Sequence, residues 1–325
     1  MAPTSIDIAS QLLRAGMPRL GFGCGDLYSK AAHAQSVRLI ETALDAGIRY
    51  FDVARMYGDG QAESVLGSVL PRIRDQVIIT SKAGILPWSM LHRPRLASKA
   101  AKLVRLAGPL GRALVPAPPP SAPRFGAFRR TDLVRSVNRS LKDLRTDYLD
   151  ILLLHECSAE DAQGAEVVAF LGQLRAAGKI RAFGIATHFP ETCQLLEQAP
   201  QTARVAQFAS DALNRNVGRL PAGRAELVVT HTPIKQSLPR LLEHLAADPQ
   251  AASRWRERTG LAPDDRPGVA RLLLADAIAA NATGVVLFSS SRPDRITDAV
   301  AGGCDANALA ALHDECAHMR ASGPH

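Results

Sequence analysis

Short apolar segments alternate with longer segments of helical period along almost the whole chain of 325 residues. A repeated alternation of this kind is typical of β-α units that build a parallel sheet. The segments predicted as strands are Arg19–Phe22, Arg49–Phe51, Val77–Thr80, Leu149–Leu154, Ala182–Ala186, Val205–Phe208, Glu226–Val229 and Val285–Phe288. Eight strands that are each followed by a helix make a (β/α)8 TIM barrel, which is therefore the predicted α/β fold.

The segments between these strands carry the apolar spacing of amphipathic helices. The predicted helices are Ala34–Ala46, Ala62–Leu70, Asp132–Leu144, Glu166–Ala177, Glu191–Glu197, Gly268–Ala280 and Pro293–Ala301, and a terminal helix over Asn307–Ala321 is predicted to pack on or cap the barrel. An open doubly wound sheet also consists of β-α units. However, Gly21-Phe22-Gly23 lacks the third glycine of a GxGxxG dinucleotide-binding pattern.

Two segments interrupt the alternation within what is predicted to be a single barrel domain over residues 1–325. Residues 84–130 include the proline-rich run LVPAPPPSAPRFG, which excludes a regular helix or a central strand. Residues 238–267 include a short predicted helix and the run RWRERTG. Insertions that follow barrel strands lie at the carboxyl ends of the strands, so both segments are predicted to be loop insertions over the active-site mouth.

Composition limits the classes of protein that need to be considered. No apolar run approaches the roughly 20 residues that a membrane helix requires, and the N-terminus lacks the basic-then-apolar order of a signal peptide. The 5 cysteines form no CxxC pair and the 9 histidines lack metal-ligand spacing. We therefore expect a cytoplasmic protein with no disulfide frame, no metal site and no membrane partner. The oligomeric state is not readable from composition, and a monomer is the default expectation.

The net charge of +8 has a local origin. No acidic residue occurs between Gln76 and Thr131, a stretch that contains the basic residues Lys82, Arg93, Arg95, Lys99, Lys102, Arg105, Arg112, Arg124, Arg129 and Arg130. Nucleic acid is one class of partner for such a run. The stretch has no recognisable nucleic-acid-binding motif, so a solvated surface segment is favoured and no nucleic-acid partner is predicted.

Polar residues follow three successive predicted strands at the point where each strand ends. Asp52 follows IRYF, Lys82 follows VIITS and His155 follows ILLL, while Tyr57 lies in the loop after Asp52. In a parallel barrel these positions converge on one mouth. A single acid, lysine or histidine at a strand end is more often an ion-pair or capping residue, but four together at matching ends favour a catalytic site.

The four residues predict proton transfer by a phenol. A free tyrosine has a pKa near about 10 and is a poor acid at neutral pH. The ammonium of Lys82 would favour the Tyr57 phenolate, His155 would share the proton, and Asp52 would compensate the charge of Lys82. Such a phenol can protonate an oxygen that gains charge as a carbonyl is reduced. A hydrolase or lyase that uses Asp52, His155 and Glu156 is the less favoured alternative, because no second ligand cluster accompanies them.

The runs GIRYFDVARMYGDGQAESVLG, VIITSKAG, LDILLLHECS and GKIRAFGIATHF resemble the aldo-keto reductase superfamily. The resemblance extends from Arg19 to about Val300. It implies a (β/α)8 barrel that binds an extended nicotinamide cofactor without a Rossmann domain. It also implies a catalytic tetrad at Asp52, Tyr57, Lys82 and His155, with Tyr57 as the general acid in reduction and the base in oxidation.

The same resemblance implies cofactor contacts after the later strands. Thr187 stands where the family has the asparagine of a Ser-Asn pair, and Gln207 matches the carboxamide-binding glutamine. His231 would replace an aromatic residue that stacks on the nicotinamide, and Thr232 and Ile234 would lie beside the pyrophosphate. Lys235 would either reach a phosphate or remain solvated.

The segment FSSSRPDRITDAV resembles the part of the family that grips the adenosine end of the cofactor. The implied contacts are Ser289, Ser290, Arg292 and Arg295. Two arginines favour NADP(H), whose extra phosphate they would clamp, and NAD(H) remains an alternative. Ala186, Ala299 and His231 depart from the family pattern and indicate a divergent member.

Substrate identity is not readable from the sequence. The predicted partner is a small carbonyl, alcohol or sugar, and the candidate pocket residues are Trp88, His92, Arg124, Phe125, Phe128 and Trp255. Each would equally serve to anchor its own loop. The favoured function is an NADP(H)-dependent oxidoreductase that interconverts an aldehyde or ketone and an alcohol. The alternatives are an NAD(P)-dependent aldose or sugar dehydrogenase of the same fold, or a non-catalytic regulatory barrel that docks a protein through its basic loop.

Overall fold

Eight parallel strands form the closed barrel that the sequence predicts. The computed structural model describes residues 19–27, 33–91, 122–220, 223–303 and 305–321. The strands are β1 (Leu20–Gly23), β2 (Tyr50–Asp52), β3 (Ile78–Ala83), β4 (Leu149–His155), β5 (Ile180–Ala186), β6 (Val205–Ala209), β7 (Leu227–His231) and β8 (Val285–Phe288). Each overlaps its predicted segment, and their order around the barrel follows the chain. The predicted fold class is confirmed.

Helices follow the strands and surround the barrel. They are α1 (His33–Asp45), α2 (Gln61–Val69), α3 (Trp88–Leu91), α4 (Arg130–Leu144), α5 (Ala159–Gln163), α6 (Ala165–Ala176), α7 (Phe189–Gln198), α8 (Asn216–Arg219), α9 (Ser237–Ala247), α10 (Pro249–Thr259), α11 (Arg266–Ala280), α12 (Pro293–Ala301) and α13 (Ala306–Ala321). Short 3-10 segments lie at Tyr57–Gly60 and Leu70–Gln76. Every predicted helix overlaps an observed one.

Side chains alternate between two apolar layers along each strand. On β4, Ile151 and Leu153 belong to a cluster inside the barrel, whereas Leu152 and Leu154 belong to the larger cluster between the barrel and its helices. This alternation follows from the period of two in a β-strand. It fills the barrel with side chains, so any ligand has to bind at the mouth.

The register of the strands brings the predicted polar residues together at that mouth. Asp52 on β2 pairs with Gly23 on β1 and Thr80 on β3. Farther around the barrel, His155 pairs with Ala186, which in turn pairs with Gln207. The carboxyl ends of strands β2 to β6 therefore form one continuous rim.

The insertion after β3 is closed at its base by backbone hydrogen bonds. Leu86 and Arg124 form an antiparallel bridge in which each N–H donates to the other carbonyl at 2.9 Å. The ring of Phe128 covers Gly84, where a Cβ would come within 2.4 Å of the ring. Residues 92–121 lie outside the described residues, and with them most of the proline-rich run, His92 and the basic residues from Arg93 to Arg112. The predictions for residues 1–18 lie outside as well.

The second insertion is helical rather than a loop. Residues 237–259 form α9 and α10, and the run RWRERT belongs to α10. Trp255 is fully buried in an apolar cluster that also includes residues of α9, α11 and α13. Glu315 on α13 ties this unit together by accepting hydrogen bonds from His244 at 3.1 Å and Arg254 at 3.2 Å. Of the two alternatives stated for Trp255, the structure supports the anchoring role and not the pocket, because the indole packs among helices.

The described cysteines are free thiols, and Cys24, Cys157 and Cys316 are buried. Burial raises the pKa of Cys157 to about 12 and that of Cys316 to about 12. Thiols of this kind are poor nucleophiles at neutral pH. Among the described residues, no helix combines the length and the apolar character needed to cross a membrane.

Candidate active site

Asp52 and Lys82 form a buried ion pair at the ends of β2 and β3. The Lys82 Nζ lies 2.5 Å from Asp52 Oδ2, and the two side chains are only 2% and 5% exposed. Nζ also donates to the carbonyl of Val53 at 3.2 Å. Burial alone would lower the pKa of Lys82, but Asp52 and Tyr57 outweigh it and raise that pKa. Lys82 therefore remains an ammonium at neutral pH.

Tyr57 lies beside this pair. Its hydroxyl is 3.4 Å from Lys82 Nζ, which also lies 5.0 Å from the centre of its ring. Burial raises the pKa of Tyr57, Lys82 opposes that rise, and Asp52 adds to it. The phenol is thus protonated at neutral pH and in contact with a cation that stabilises its conjugate base.

His155 completes the cluster from the end of β4. Its ring centre is 6.3 Å from that of Tyr57, with the two planes at 89°. Burial lowers the pKa of His155 to about 3, with further contributions from Lys82 and His231. The imidazole is therefore neutral and keeps one donor and one acceptor nitrogen. The structure brings together all four residues of the predicted tetrad.

Gln207 connects this cluster to the other half of the mouth. Its Nε2 donates to Asp52 Oδ1 at 2.9 Å. Its Oε1 is buried without a hydrogen-bond partner among the described residues. An orphaned buried acceptor is costly unless a ligand supplies the donor, and a carboxamide N–H is such a donor.

The ends of β5 and β7 differ from the expected cofactor contacts. The Thr187 hydroxyl is buried and pairs with the Thr192 hydroxyl at 2.8 Å, on the side of α7.

His231 lies at the end of β7. It is partly buried, and burial lowers its pKa to about 4. Thr232 has φ = 58° and donates its hydroxyl to the His231 carbonyl at 2.7 Å. A β-branched residue at positive φ is strained. Ile234 packs against two apolar clusters.

The polar residues after β8 are largely paired with one another. Ser289 donates to the carbonyl of Gly23 at 2.7 Å, and Ser290 donates to the carbonyl of Arg292 at 3.0 Å. Arg292 is held by both oxygens of Asp294. Arg295 forms no ion pair within the described part of the chain and is exposed. Of the two predicted phosphate-binding arginines, one thus already has an anionic partner.

Comparison with known proteins matches residues 19–220 to the Aldo/keto reductase family. The chain belongs to the aldo/keto reductase family. The match spans β1 to β6 and ends before β7.

Individual members of the aldo/keto reductase family show how far the likeness reaches. The D-threo-aldose 1-dehydrogenase of a Pseudomonas species is 30% identical over 188 residues, which cover 56% of this chain and 54% of that protein. The chain spans about half the length of the curated relatives it matches. An aldo-keto reductase from Klebsiella pneumoniae, solved in complex with NADPH, has a TM-score of 0.62 at 22% identity and covers 92% of this chain and 90% of its own. The glycerol dehydrogenase of Gluconobacter oxydans has a TM-score of 0.66 at 18% identity, with 95% and 94% covered. These two structures show the shared fold.

The candidate substrate residues of this aldo/keto reductase family member differ in exposure. Phe125 is 58% exposed and Trp88 is half-buried. Phe128 is 6% exposed and belongs to the main core. Arg124 pairs with Asp132 at 2.5 Å. Phe128 and Arg124 therefore anchor the base of the insertion, and Phe125 presents the larger apolar surface.

Sequence reasoning missed a second layer behind the tetrad. Arg55 is buried against Glu63 and Asp143, at 2.5 Å and 2.7 Å. On the other side, a Cβ at Gly25 would lie 3.8 Å from Tyr57 Cζ, so the chain after β1 backs the Tyr57 ring. The run DVARMYGDG could have indicated this role, because Arg55 is a charged residue within a short apolar segment that follows a buried strand.

Proposed function

We propose that this chain is an NADP(H)-dependent oxidoreductase that interconverts an aldehyde or ketone and an alcohol. The observation that carries the proposal is the position of Lys82 Nζ, 2.5 Å from Asp52 Oδ2 and 3.4 Å from the Tyr57 hydroxyl. A neutral phenol in contact with a buried ammonium is suited to give up a proton and regain it. Membership of the aldo/keto reductase family supports this proposal.

In the proposed reduction, Tyr57 donates its proton to the carbonyl oxygen. Lys82 stabilises the phenolate that remains, and Asp52 keeps the ammonium in place. The neutral ring of His155 orients the oxygen by a hydrogen bond without adding charge. In the oxidation direction the phenolate accepts the alcohol proton, so the same residues serve both directions.

The residues of the mouth fit a nicotinamide cofactor. The orphaned Oε1 of Gln207 would accept from the carboxamide, and His231 would stack on the ring. The remaining proposed contacts are Thr187, Thr232, Ile234, Ser289, Ser290, Arg292 and Arg295. When bound, the reduced cofactor supplies the hydride that the carbonyl carbon accepts. The NADPH complex of the Klebsiella pneumoniae enzyme and the exposed charge of Arg295 support NADP(H) over NAD(H).

A second candidate function is the oxidation of an aldose or another sugar. The name of the D-threo-aldose 1-dehydrogenase relative favours it. Phe125 and Trp88 would then border the substrate on the side of the insertion after β3. Both candidates use the tetrad in the same way and differ in substrate and direction.

Nicotinamide absorbance tests the proposal directly. Purified protein is supplied with NADPH or NADH and a panel of aldehydes, ketones and sugars, in parallel with Tyr57→Phe and Tyr148→Phe. Tyr148 is the matched control, because it packs between Arg74 and Arg181 away from the tetrad. We expect Tyr57→Phe to lower kcat by about 10²- to 10⁴-fold with NADPH affinity kept, and Tyr148→Phe to leave kcat within about twofold of the parent value.

Two results would overturn the proposal. NADPH binding without turnover of any carbonyl or sugar would favour a regulatory barrel. No binding of either cofactor would remove the oxidoreductase proposal, whatever the geometry of the tetrad.

A further inference from the structure

The turn that follows Tyr57 has an uncommon backbone conformation. Gly58, Asp59 and Gly60 have φ values of 57°, 55° and 88°. All three are therefore left-handed, and Asp59 carries a Cβ that makes this conformation unfavourable. Backbone of this kind persists where surrounding contacts hold it. The turn also fixes the position of Tyr57, which begins it.

The Arg55 guanidinium contacts the last residue of this turn. Arg55 is 3% exposed, and its Nη2 donates to the Gly60 carbonyl at 2.7 Å. A Cβ at Gly60 would lie 1.6 Å from that nitrogen. Glycine at this position thus serves two purposes: it accepts the positive φ and it leaves room for the guanidinium.

The other terminal nitrogen of Arg55 is connected, through Glu63, to the strand that carries Lys82. Nη1 lies 2.5 Å from Glu63 Oε2 and 2.7 Å from Asp143 Oδ2. Glu63 Oε1 accepts a hydrogen bond from the Ser81 hydroxyl at 2.7 Å, and Ser81 directly precedes Lys82 on β3. The guanidinium therefore links the turn after Tyr57 to the backbone next to Lys82.

This network lies behind the site. Consecutive residues of a strand face opposite sides, so Ser81 points away from the mouth into which Lys82 extends. We propose that Arg55 is a positioning residue that holds the Tyr57 hydroxyl at its distance from Lys82 Nζ. The inference rests on the proposed function of Tyr57 as the proton donor. A planar guanidinium is suited to this task because it can bind a carbonyl and two carboxylates at once.

The first variant is Arg55→Lys. Lysine keeps the positive charge beside Glu63 and Asp143 but lacks the fork that also reaches Gly60. We expect kcat to fall at least about tenfold, because a shift of about 1 Å at a reacting group can cost about 100-fold. KM and NADPH affinity should stay within about threefold of the parent values.

A titration of Tyr57 tests the same inference without turnover. The protein is labelled with 3-fluorotyrosine, and the Tyr57 resonance among the 4 tyrosines is assigned with Tyr57→Phe. Burial raises the pKa of Tyr57 and Lys82 opposes that rise, so a phenol that has moved away from Lys82 should titrate at still higher pH. We expect this upward shift in Arg55→Lys.

The matched control is Arg74→Lys. Arg74 is a second partly buried arginine, 2.7 Å from Asp150, and it contacts no residue of the tetrad. Asp143→Asn is the milder second variant if Arg55→Lys does not fold, and it should move kcat and the Tyr57 titration in the same direction by less. Thermal denaturation accompanies every variant.

The outcomes separate the two proposals. If the parent turns over no carbonyl, the proposed function fails and the fluorine titration alone decides the role of Arg55. If Arg55→Lys and Asp143→Asn leave the Tyr57 titration where it is in the parent, the inference is overturned. It is equally overturned if Arg55→Lys lowers kcat no more than Arg74→Lys does at a similar loss of thermal stability.

Discussion

The ends of β2 to β4 and the ends of β5 to β8 carry similar polar side chains but use them differently. In the first group, Asp52 and Lys82 are buried and Tyr57 is partly buried, and Lys82 Nζ lies 2.5 Å from Asp52 and 3.4 Å from Tyr57. In the second group, Ser289 is bonded to the β1 backbone and Arg292 is bonded to Asp294, two residues away. The side chains of the first region contact one another across three strands, whereas those of the second are bonded to nearby backbone or to a neighbouring side chain.

This contrast agrees with two different requirements of the proposed reaction. Proton transfer needs groups fixed within a few tenths of an ångström, which burial and ion pairs provide. Cofactor binding needs groups that can exchange partners when a ligand arrives. Gln207 belongs to both regions, because one end of its amide holds Asp52 and the other has no partner among the described residues.

The largest difference between the regions should appear when one carboxylate is neutralised in each. Asp52→Asn leaves the buried Lys82 ammonium without its counter-ion, which typically costs about 3–5 kcal/mol of unfolding free energy. Chemical denaturation at neutral pH measures this loss. The matched variant Asp294→Asn, in the exposed region, should leave the unfolding free energy nearly unchanged. Equal losses in the two variants would remove the contrast.

Acid should destabilise the mouth through its histidines. The pKa of His155 is lowered to about 3 and that of His231 to about 4, so the unfolded chain binds protons more readily than the folded one below pH of about 6.5. Stability contributed by the neutral rings is complete above that pH and is lost as the pH falls towards about 4. Each ring contributes up to about 1.4 kcal/mol per pH unit within that window.

Thermal denaturation at a series of pH values from about 4 to about 7 checks this expectation. This range covers the window in which the histidines of the unfolded chain take up protons. His155→Gln should flatten the pH dependence of stability, and His231→Gln should add to the effect. In the same window, kcat should show no inflection near about 6.5, because both rings stay neutral. Such an inflection would show that one of the two rings is more solvated than the structure indicates.

A smaller change should follow from strengthening the second region. His231→Tyr enlarges the surface proposed to stack on the nicotinamide, and a favourable aromatic pair contributes about 0.5–1.5 kcal/mol. NADPH affinity, measured by quenching of protein fluorescence, should therefore rise roughly three- to tenfold. Unchanged or weaker binding would indicate that His231 does not face the cofactor.

The smallest effect is expected from releasing Arg292. Asp294→Asn removes its anionic partner, so NADPH affinity should rise by about two- to fivefold at low salt, while NADH affinity stays constant. The gain should shrink as the salt concentration rises. An equal gain for both cofactors would show that Arg292 does not bind the phosphate that distinguishes them.

Much of the fold was predictable because barrel strands are short, apolar and regularly spaced. VIIT and ILLL could be placed from their composition, and the order of the strands follows from the β-α alternation. The charged run RWRERT was harder to interpret, since its helix buries mainly Ala251 and Trp255 and exposes the rest. The sequence consequently left open whether Trp255 lines a pocket or anchors its own segment.

The sequence predicted the residues at the ends of β2 to β4 better than the contacts at the ends of β5 to β8. Asp52, Lys82 and His155 each stand at a strand end, and the geometry of the barrel brings strand ends together. The pairing of Arg292 with Asp294 and of Thr187 with Thr192 depends on loop conformation, which residue spacing does not determine. The same holds for the Arg55 contact with Gly60, which requires three successive left-handed residues.

The bridge between Leu86 and Arg124 has a consequence for how this barrel can diversify. The two backbone hydrogen bonds hold the two ends of the insertion together at its base. The entropy of closing a loop grows only slowly with its length. A longer chain between these two positions should therefore cost the barrel little, and natural selection or an engineer can vary its length while Lys82 stays in place.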